Sequence, residues 1–451
     1  MAGDVFGQLL AEARIRPEEL ARQLNDIAEL HGRSERLHPK TPYKWRRGTV
    51  PGDPWPSLAA ALLAERLQRA LTPADLGWPD DDAGLAPASE GLVLPWTVAG
   101  GLRAVRAVSD PESMRRRNFL TLLGTALTAP AHEWLIARLA SGAGSTVGRR
   151  LSGDVIEQLN SVTAALRRMD DHLGGGQTLG LVRHHLHVVV ELLRDRSYTD
   201  TVGKQLHGVA GELLRLAGWL SFDDGHHAQA QRYWIAALHE AHSAGDRALG
   251  ANVLAFMSCQ AKDLGEFRQA VTLAHTAHAG YPGNSPKVAA IIQLRAAEAH
   301  ANERAATDTR RAIDAAFDRL ADPAPEAGNP EWTYWMTEAQ AHAQAGYCYV
   351  RLADWPRART HLRSALRLQG GEYTREGALR NTLLATTYVR QDQPDLDKAL
   401  TLGRRAVTTL TGEVTSARCA KHVRTLVQHL APYRRNLDVR QFCDDEARAL
   451  A

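Results

Sequence analysis

Three stretches in the C-terminal two thirds of this chain repeat one spacing of small side chains, and a fourth repeats it weakly. They are Ala230-x3-Trp234-x2-Ala237, Ala270-x3-Ala274-x2-Ala277, Ala358-x3-Leu362-x2-Ala365 and the weaker Ala399-x3-Gly403-x2-Ala406. Positions four and seven apart share one face of an α-helix, so each stretch is a helix with a smooth stripe. Such a stripe lets a second helix cross closely, because few bulky side chains hold the backbones apart. In the first two copies a small residue stands twelve positions upstream (Gly218, Ser258) and a glycine five upstream (Gly225, Gly265). Gly346 takes the twelve-upstream place in the third, with Tyr349 three residues on. The reading is helix, turn, helix, repeated, with a degenerate unit around Ala312 between the second and third copies. Helices over 154–173 and 178–194 extend the stack at one end, and helices over 416–430 and 437–450 cap the other. The competing fold is a generic Ala-rich helical bundle.

Composition agrees with helix throughout: Ala and Leu dominate and aromatics make up 6% of the 451 residues. A chain of this length exceeds one simple core, so three parts are expected. They are an N-terminal helical domain over 1–80, a linker with connecting helices over 81–150, and the repeats over 151–451. The acidic, then Gly/Pro-containing stretch from Asp80 to about Ala107 reads as linker, with Leu92, Leu94 and Trp96 pinning it to a neighbouring surface. Arg103 to Ala140 reads as one or two helices. Within it Arg115-Arg116-Arg117-Asn118-Phe119-Leu120 has the look of a twin-arginine export signal, but its position and short apolar run favour a buried helix capped by basic residues. Met1 to Leu10 lacks a basic start and an apolar run, so no signal peptide is expected. Four scattered cysteines form no CxxC pair and suit a reducing cytosol. The expectation is a cytoplasmic protein with no membrane segment.

The first eighty residues carry the second informative feature. Phe6, Leu9, Leu10 and Ala13 fall on one face of a first helix over 4–15. Pro17 opens a second, with Glu18 and Glu19 in its first turn. Next comes Arg33 to Gly48, with six cations (Arg33, Arg36, Lys40, Lys44, Arg46, Arg47) against Glu35, although the whole chain carries only +3. Lys is rare beside Arg here, yet Lys40 and Lys44 both fall in this window. Thr41, Tyr43 and Trp45 interleave with the charges. A short helix reaching about Trp45, with Pro39 in its first turn and Gly48 as its stop, would present a surface suited to the DNA major groove. The bland alternative is a solvated basic loop. A helix over Ser57–Leu71 follows, and Leu76 to Trp78 closes the unit.

These residues resemble a known arrangement. The helix, Pro17-Glu-Glu-Leu-Ala21, a basic helix ending in Trp45-Arg46-Arg47-Gly48, and then an apolar helix resemble the Cro/repressor (XRE-type) helix-turn-helix. The segment from Asn25 to Leu37 is longer than that family's turn, and Arg46 stands where it usually has an acid. The C-terminal repeats resemble tetratricopeptide repeats, although their spacing of forty-odd residues exceeds the usual ~34. Together the two parts resemble actinobacterial helix-turn-helix regulators with repeat domains and, more distantly, the peptide-sensing quorum regulators of Gram-positive bacteria. Trp45-x2-Gly48-x2-Pro51 and Arg116-Arg117-x-Phe119-Leu120 resemble the first group.

That resemblance implies an all-α fold, a helix-turn-helix domain followed by an α-solenoid, in a homodimeric transcriptional regulator that binds double-stranded DNA. Lys40, Thr41, Tyr43 and Lys44 would face base edges, and Arg33, Arg36, Arg46 and Arg47 would hold phosphates. The array would receive a peptide, a small molecule or a protein in a groove lined by the first helix of each repeat. Counting from the small-residue phase, Glu212, Arg215, Trp219, Asn252, Cys259, Gln340 and Tyr347 face that groove, with Arg380 and Asn381 near it. Such side chains can hydrogen-bond an extended peptide and pack its side chains; the alternative is ordinary solvated surface. A scaffold whose N-terminal domain binds protein is the competing function.

Little in the sequence speaks for catalysis. His239-Glu240-Ala241-His242 is one residue short of HExxH and reads as helix surface. His184 and His187, or His226-His227, have no Cys or carboxylate at ligand spacing. Gly174-Gly175-Gly176 reads as a helix stop and turn. No catalytic residue, metal or cofactor is expected.

Overall fold

The computed structural model describes residues 2–30, 36–51, 55–67, 74–78, 94–109, 121–138, 140, 142–152, 154–173, 175–321, 328–370, 374–412 and 416–449. The fold is all-α. Among the described residues its regular strands are two dipeptides, β1 (Arg149–Arg150) and β2 (Arg196–Ser197), paired in parallel as Arg149 with Arg196 and Arg150 with Ser197. The chain forms two compact units, Met1–Glu90 with Arg117–Pro130, and Gly91–Arg116 with Ala131–Ala451.

The first unit contains α1 (Ala2–Glu12), α2 (Pro17–Leu30), α3 (Thr41–Arg46) and α4 (Trp55–Leu67). Phe6, Leu9 and Leu10 of α1 meet Leu20, Ala21 and Leu24 of α2, Trp45 of α3 and Leu63 of α4 in one buried cluster. Its centre is aromatic: the Phe6 ring lies 6.1 Å from Trp45 and 4.9 Å from Trp78, and the two tryptophans lie 5.7 Å apart, edge to face. Pro39 precedes α3 rather than opening it. The helix begins at Thr41, and Pro42 takes the first turn, where a missing N–H costs nothing. For the same reason α4 starts at Trp55, with Pro56 second, two residues before the expected start.

The second unit begins with α5 (Val98–Ser109), a helix inside the stretch expected to be linker. Gly100 and Gly101 read as breakers in sequence, but here they allow close approach. A Cβ on Gly101 would stand 2.8 Å from Ser243 Oγ and 2.9 Å from Glu240 Oε1. Leu94 is buried, Trp96 packs against His239, and Leu92 and Arg115–Leu120 lie outside the described residues. The helix α6 (Gly124–Ile136) belongs to the first unit up to Pro130 and to the second from Ala131; α7 (Asp154–Leu173) and α8 (Gly175–Asp195) follow, so Gly175 and Gly176 open a helix instead of forming a turn.

The rest is built from helical pairs: α9 (Asp200–Asp223) with α10 (His227–Ala244), α11 (Arg247–Asp263) with α12 (Phe267–Ala279), and α13 (Pro286–Asn302) with α14 (Ala306–Leu320). They continue as α15 (Glu338–Arg351) with α16 (Trp355–Leu368), and α17 (Thr374–Val389) with α18 (Leu396–Gly412), before α19 (Ala417–Leu430) and α20 (Leu437–Ala449). The pairs α9–α10 and α15–α16 cross where the sequence places a glycine. A Cβ on Gly218 would sit 2.3 Å from Trp234 Nε1, and one on Gly346 would sit 2.7 Å from Leu362 Cγ. Ser258 Oγ instead donates to the Ala270 carbonyl at 2.8 Å. The turns use left-handed backbone at Gly225 (φ 85°) and Gly265 (φ 86°), and in the third copy the same place is held by Ala353 at φ 60°. The first helix of each pair also touches the first helix of the next, from α9 through α11, α13, α15 and α17 to α19. Finally α19 returns to α9 and α17 to α7, so this unit closes on itself.

Candidate functional site

In the first unit, α3 is held from one side. Pro42 is buried and Trp45 is 2% exposed, locking six residues against α1 and Trp78. Lys40, Lys44, Arg46 and Arg47 stand exposed around that anchor. Among the described residues no carboxylate pairs with any of the four. The Arg46 guanidinium crosses α1 above Gly7, where a Cβ would lie 3.4 Å from its Nε. Thr41 and Tyr43 are half-buried. The Tyr43 hydroxyl donates to Glu18 Oε1 at 2.6 Å, which ties α3 to α2 and draws the Glu18 carboxyl below its ordinary range. Arg36 Nη1 donates to the Asn25 carbonyl at 3.0 Å, while Asn25 braces Leu37 through both amide atoms, at 2.7 and 3.0 Å. Arg33 lies outside the described residues.

In the second unit the closed array encloses a cavity of about 340 Å³. Its wall carries Arg167, Asp170 and Asp171 from α7, Arg215 and Trp219 from α9, Phe256, Cys259 and Lys262 from α11, and Arg295 and Glu298 from α13. Tyr334 and Trp335 precede α15, which adds Gln340, Gln344 and Tyr347; α17 adds Arg375 and Arg380, and α19 adds Arg418 and His422. Of the groove residues read from sequence, Arg215, Trp219, Cys259, Gln340, Tyr347 and Arg380 stand here together. Glu212 lies behind the wall, paired with Arg167. Asn252 is fully buried away from the cavity with both amide atoms unbonded, and the Asn381 amide donates to its own helix at the Gly377 carbonyl. Glu212 and Asn252 are corrections, the first turned to Arg167 and the second into the packing between helices, while Asn381 stands half-buried next to Arg380.

Most of the charge here is paired. Arg375, 2% exposed, reaches Asp170 at 3.0 Å, Asp223 at 3.3 Å and Glu376 at 3.3 Å. Arg418 also reaches Asp223, at 3.1 Å, and the Ser416 hydroxyl donates to the same carboxylate. Burial opposes the charge on Arg375, but Asp170, Glu376 and Asp223 outweigh it and hold the guanidinium well above its ordinary value. Lys262 pairs with Asp263 at 2.7 Å, and Arg295 with Glu298 at 2.9 Å. Arg380 donates to Gln369 at 2.7 Å and to Gln340 at 2.9 Å. The Trp219 ring lies between Arg375 and Arg418, 5.8 and 5.1 Å from their guanidinium carbons.

Arg215 differs. It is 4% exposed, its Nε has no hydrogen-bond partner, and among the described residues no carboxylate stands within ion-pair distance. Its guanidinium carbon lies 5.5 Å from the Phe256 ring centre. Burial brings it down to about 10, so it stays cationic at neutral pH. Trp335 Nε1 and both amide atoms of Gln344 are likewise unbonded. Asp171 is pushed up to about 6 by burial, although the Tyr334 hydroxyl donates to it at 2.7 Å.

Lys262, Arg295, Arg375 and Arg418 were not singled out in sequence. The usable signal lies beside the crossing residue: Trp219, Cys259 and Tyr347 each directly follow Gly218, Ser258 and Gly346. His239-Glu240-Ala241-His242, expected on a helix surface, is buried, because α5 and Trp96 cover that face of α10. Trp96 stacks on His239 at 4.1 Å, and His207 Nδ1 meets Glu240 Oε2 at 2.7 Å. Burial pulls His239 down to about 4. Among the described residues no group of three or more His, Cys, Asp or Glu is placed to hold a metal ion. His184 and His187 are exposed, and the four cysteines are buried free thiols. Among those residues no helix is long and apolar enough to cross a membrane.

No curated protein matches the chain. Residues 6–79, the span of the aromatic-centred first unit from Phe6 past Trp78, match the family model described as the SP15 N-terminal domain.

Proposed function

We propose that the chain is a sequence-specific DNA-binding transcriptional regulator. Its first unit is an XRE-type helix-turn-helix head, and its paired helices form a tetratricopeptide-like solenoid that dimerises and receives a signal. The observation that carries this is α3: four exposed cations without carboxylate partners among the described residues, on and beside a short helix fixed by Pro42 and Trp45. A rigid anchor beneath unpaired charge keeps the cations in register with phosphates and base edges. Lys40 and Lys44 meet bases, each good contact contributing roughly 1–3 kcal/mol of discrimination, with Thr41 beside them. Arg46 and Arg47, with Arg36 and Arg33, hold phosphates. Tyr43 serves as a brace through Glu18 instead of reading a base. A ligand in the array alters its curvature, and with it the spacing of two heads that must match half-sites about 34–36 Å apart or a multiple. The protein acts in the cytoplasm, without enzymatic activity or cofactor.

A second reading, a head that binds protein, is favoured by the cleft beside α2. There Arg16, Arg22 and Arg36 alternate with Glu18, Glu19 and Asp26, a mixed surface unlike a phosphate track. Random-sequence DNA selection with the full chain separates the two. Enrichment of one motif, lost when 1–80 are deleted, supports the regulator. A selection that converges on nothing supports the protein-binding head.

A further inference from the structure

The unpaired guanidinium of Arg215 is the most informative feature of the cavity. Removing an arginine from water without an ion partner is costly, and most other cations on this wall avoid the cost by meeting a carboxylate. The acid nearest on its own helix, Glu212, is engaged by Arg167. Arg215 therefore stands as a buried donor group aimed into open volume. Around it lie an aromatic shelf and two further unbonded groups. Phe256 sits 5.2 Å from Trp219 and 6.0 Å from Trp335 between ring centres, while Trp335 Nε1 and the Gln344 amide offer donors and an acceptor. The volume falls at the low end of the ~300–1,000 Å³ usual for small-molecule sites.

We infer that this cavity binds a small aromatic carboxylic acid, its carboxylate on Arg215, its ring on Phe256 and Trp335, and a second oxygen within reach of Gln344. This deepens the reading of the array as a receiver, but binding itself requires no DNA, so either idea can fail while the other stands. An arginine fork matches a carboxylate in two parallel hydrogen bonds, and a neutral amide of the same shape cannot replace it.

The test uses the full chain, free of DNA, with 1-hydroxy-2-naphthoate and its carboxamide as calorimetric probes. The carboxylate is expected to bind roughly tenfold or more tightly than the carboxamide, and Arg215→Met to erase that difference. Melting of the ligand-free protein gives an independent readout. If Arg215 is held for a ligand, Arg215→Met melts at or above the wild-type temperature, because it removes an unpaired buried charge. A structural arginine would lower melting when replaced. The inference is overturned if the two probes bind equally, if neither binds, or if Arg215→Met melts well below wild type.

Discussion

Replacing Arg375 with methionine tests how the array closes. Arg375 belongs to the first turn of α17, yet its main partner, Asp170, lies on α7, more than two hundred positions earlier. Both side chains are almost fully buried, at 2% and 5% exposure. Asp223 keeps Arg418 and Ser416 after the change, whereas among the described residues no second cation stands within ion-pair distance of Asp170. The variant thus leaves one buried carboxylate uncompensated, which costs about 3–5 kcal/mol when a buried pair is broken from one side. Urea unfolding followed by helical signal measures it. Adding Asp170→Asn should recover a large part of the loss, so the two substitutions are strongly non-additive. Burial already holds Asp170 above the ordinary carboxylate range and losing Arg375 raises it further, so the deficit should shrink as pH falls and begin to do so above that range. A loss below about 1 kcal/mol, or simple additivity, would refute the claim that this network closes the array.

Three further outcomes follow from the packing. His239 is buried and neutral with its value depressed from 6.5 to about 4, so its contribution is full above pH 6.5 and is lost as pH falls toward 4. His239→Phe should flatten the acid limb of the stability curve, by about 2 kcal/mol near pH 5, in chemical unfolding across pH. Gly218→Ala places a methyl against the Trp234 ring and should cost about 1–3 kcal/mol by the same assay. Ala353→Gly relieves a left-handed alanine on the surface and should raise stability by about 1 kcal/mol; no gain would mean that the turn is not strained.

The helical pairs were legible because burial at four- and seven-residue spacing is a local pattern. Ala230, Trp234 and Ala237, with their counterparts in the second and third copies, are buried. What escaped was whatever depends on a partner distant in sequence. Gly101 looks like a breaker until α10 is present to require its smallness. The histidines of α10 look like surface until α5 covers them. Nothing near Arg375 or Arg418 announces Asp170 or Asp223. Helix phase extrapolated along the repeats points Asn252 into the groove, whereas the structure buries it between helices. Nor can a sequence show that Arg215 lacks a counter-charge, since that depends on Glu212 turning to Arg167.

The central claim is that α3 reads DNA, and the salt dependence of binding tests it most directly. Full-length protein, Lys44→Ala and Arg47→Ala would be titrated by fluorescence anisotropy against a selected site and scrambled DNA over a range of salt. Tight, site-selective binding is expected, with Arg47→Ala weakening all sequences alike and lowering the salt slope by about 1. Lys44→Ala should relax selectivity instead. Equal slopes and equal selectivity in all three proteins, or no selective binding by the wild type, would contradict the account.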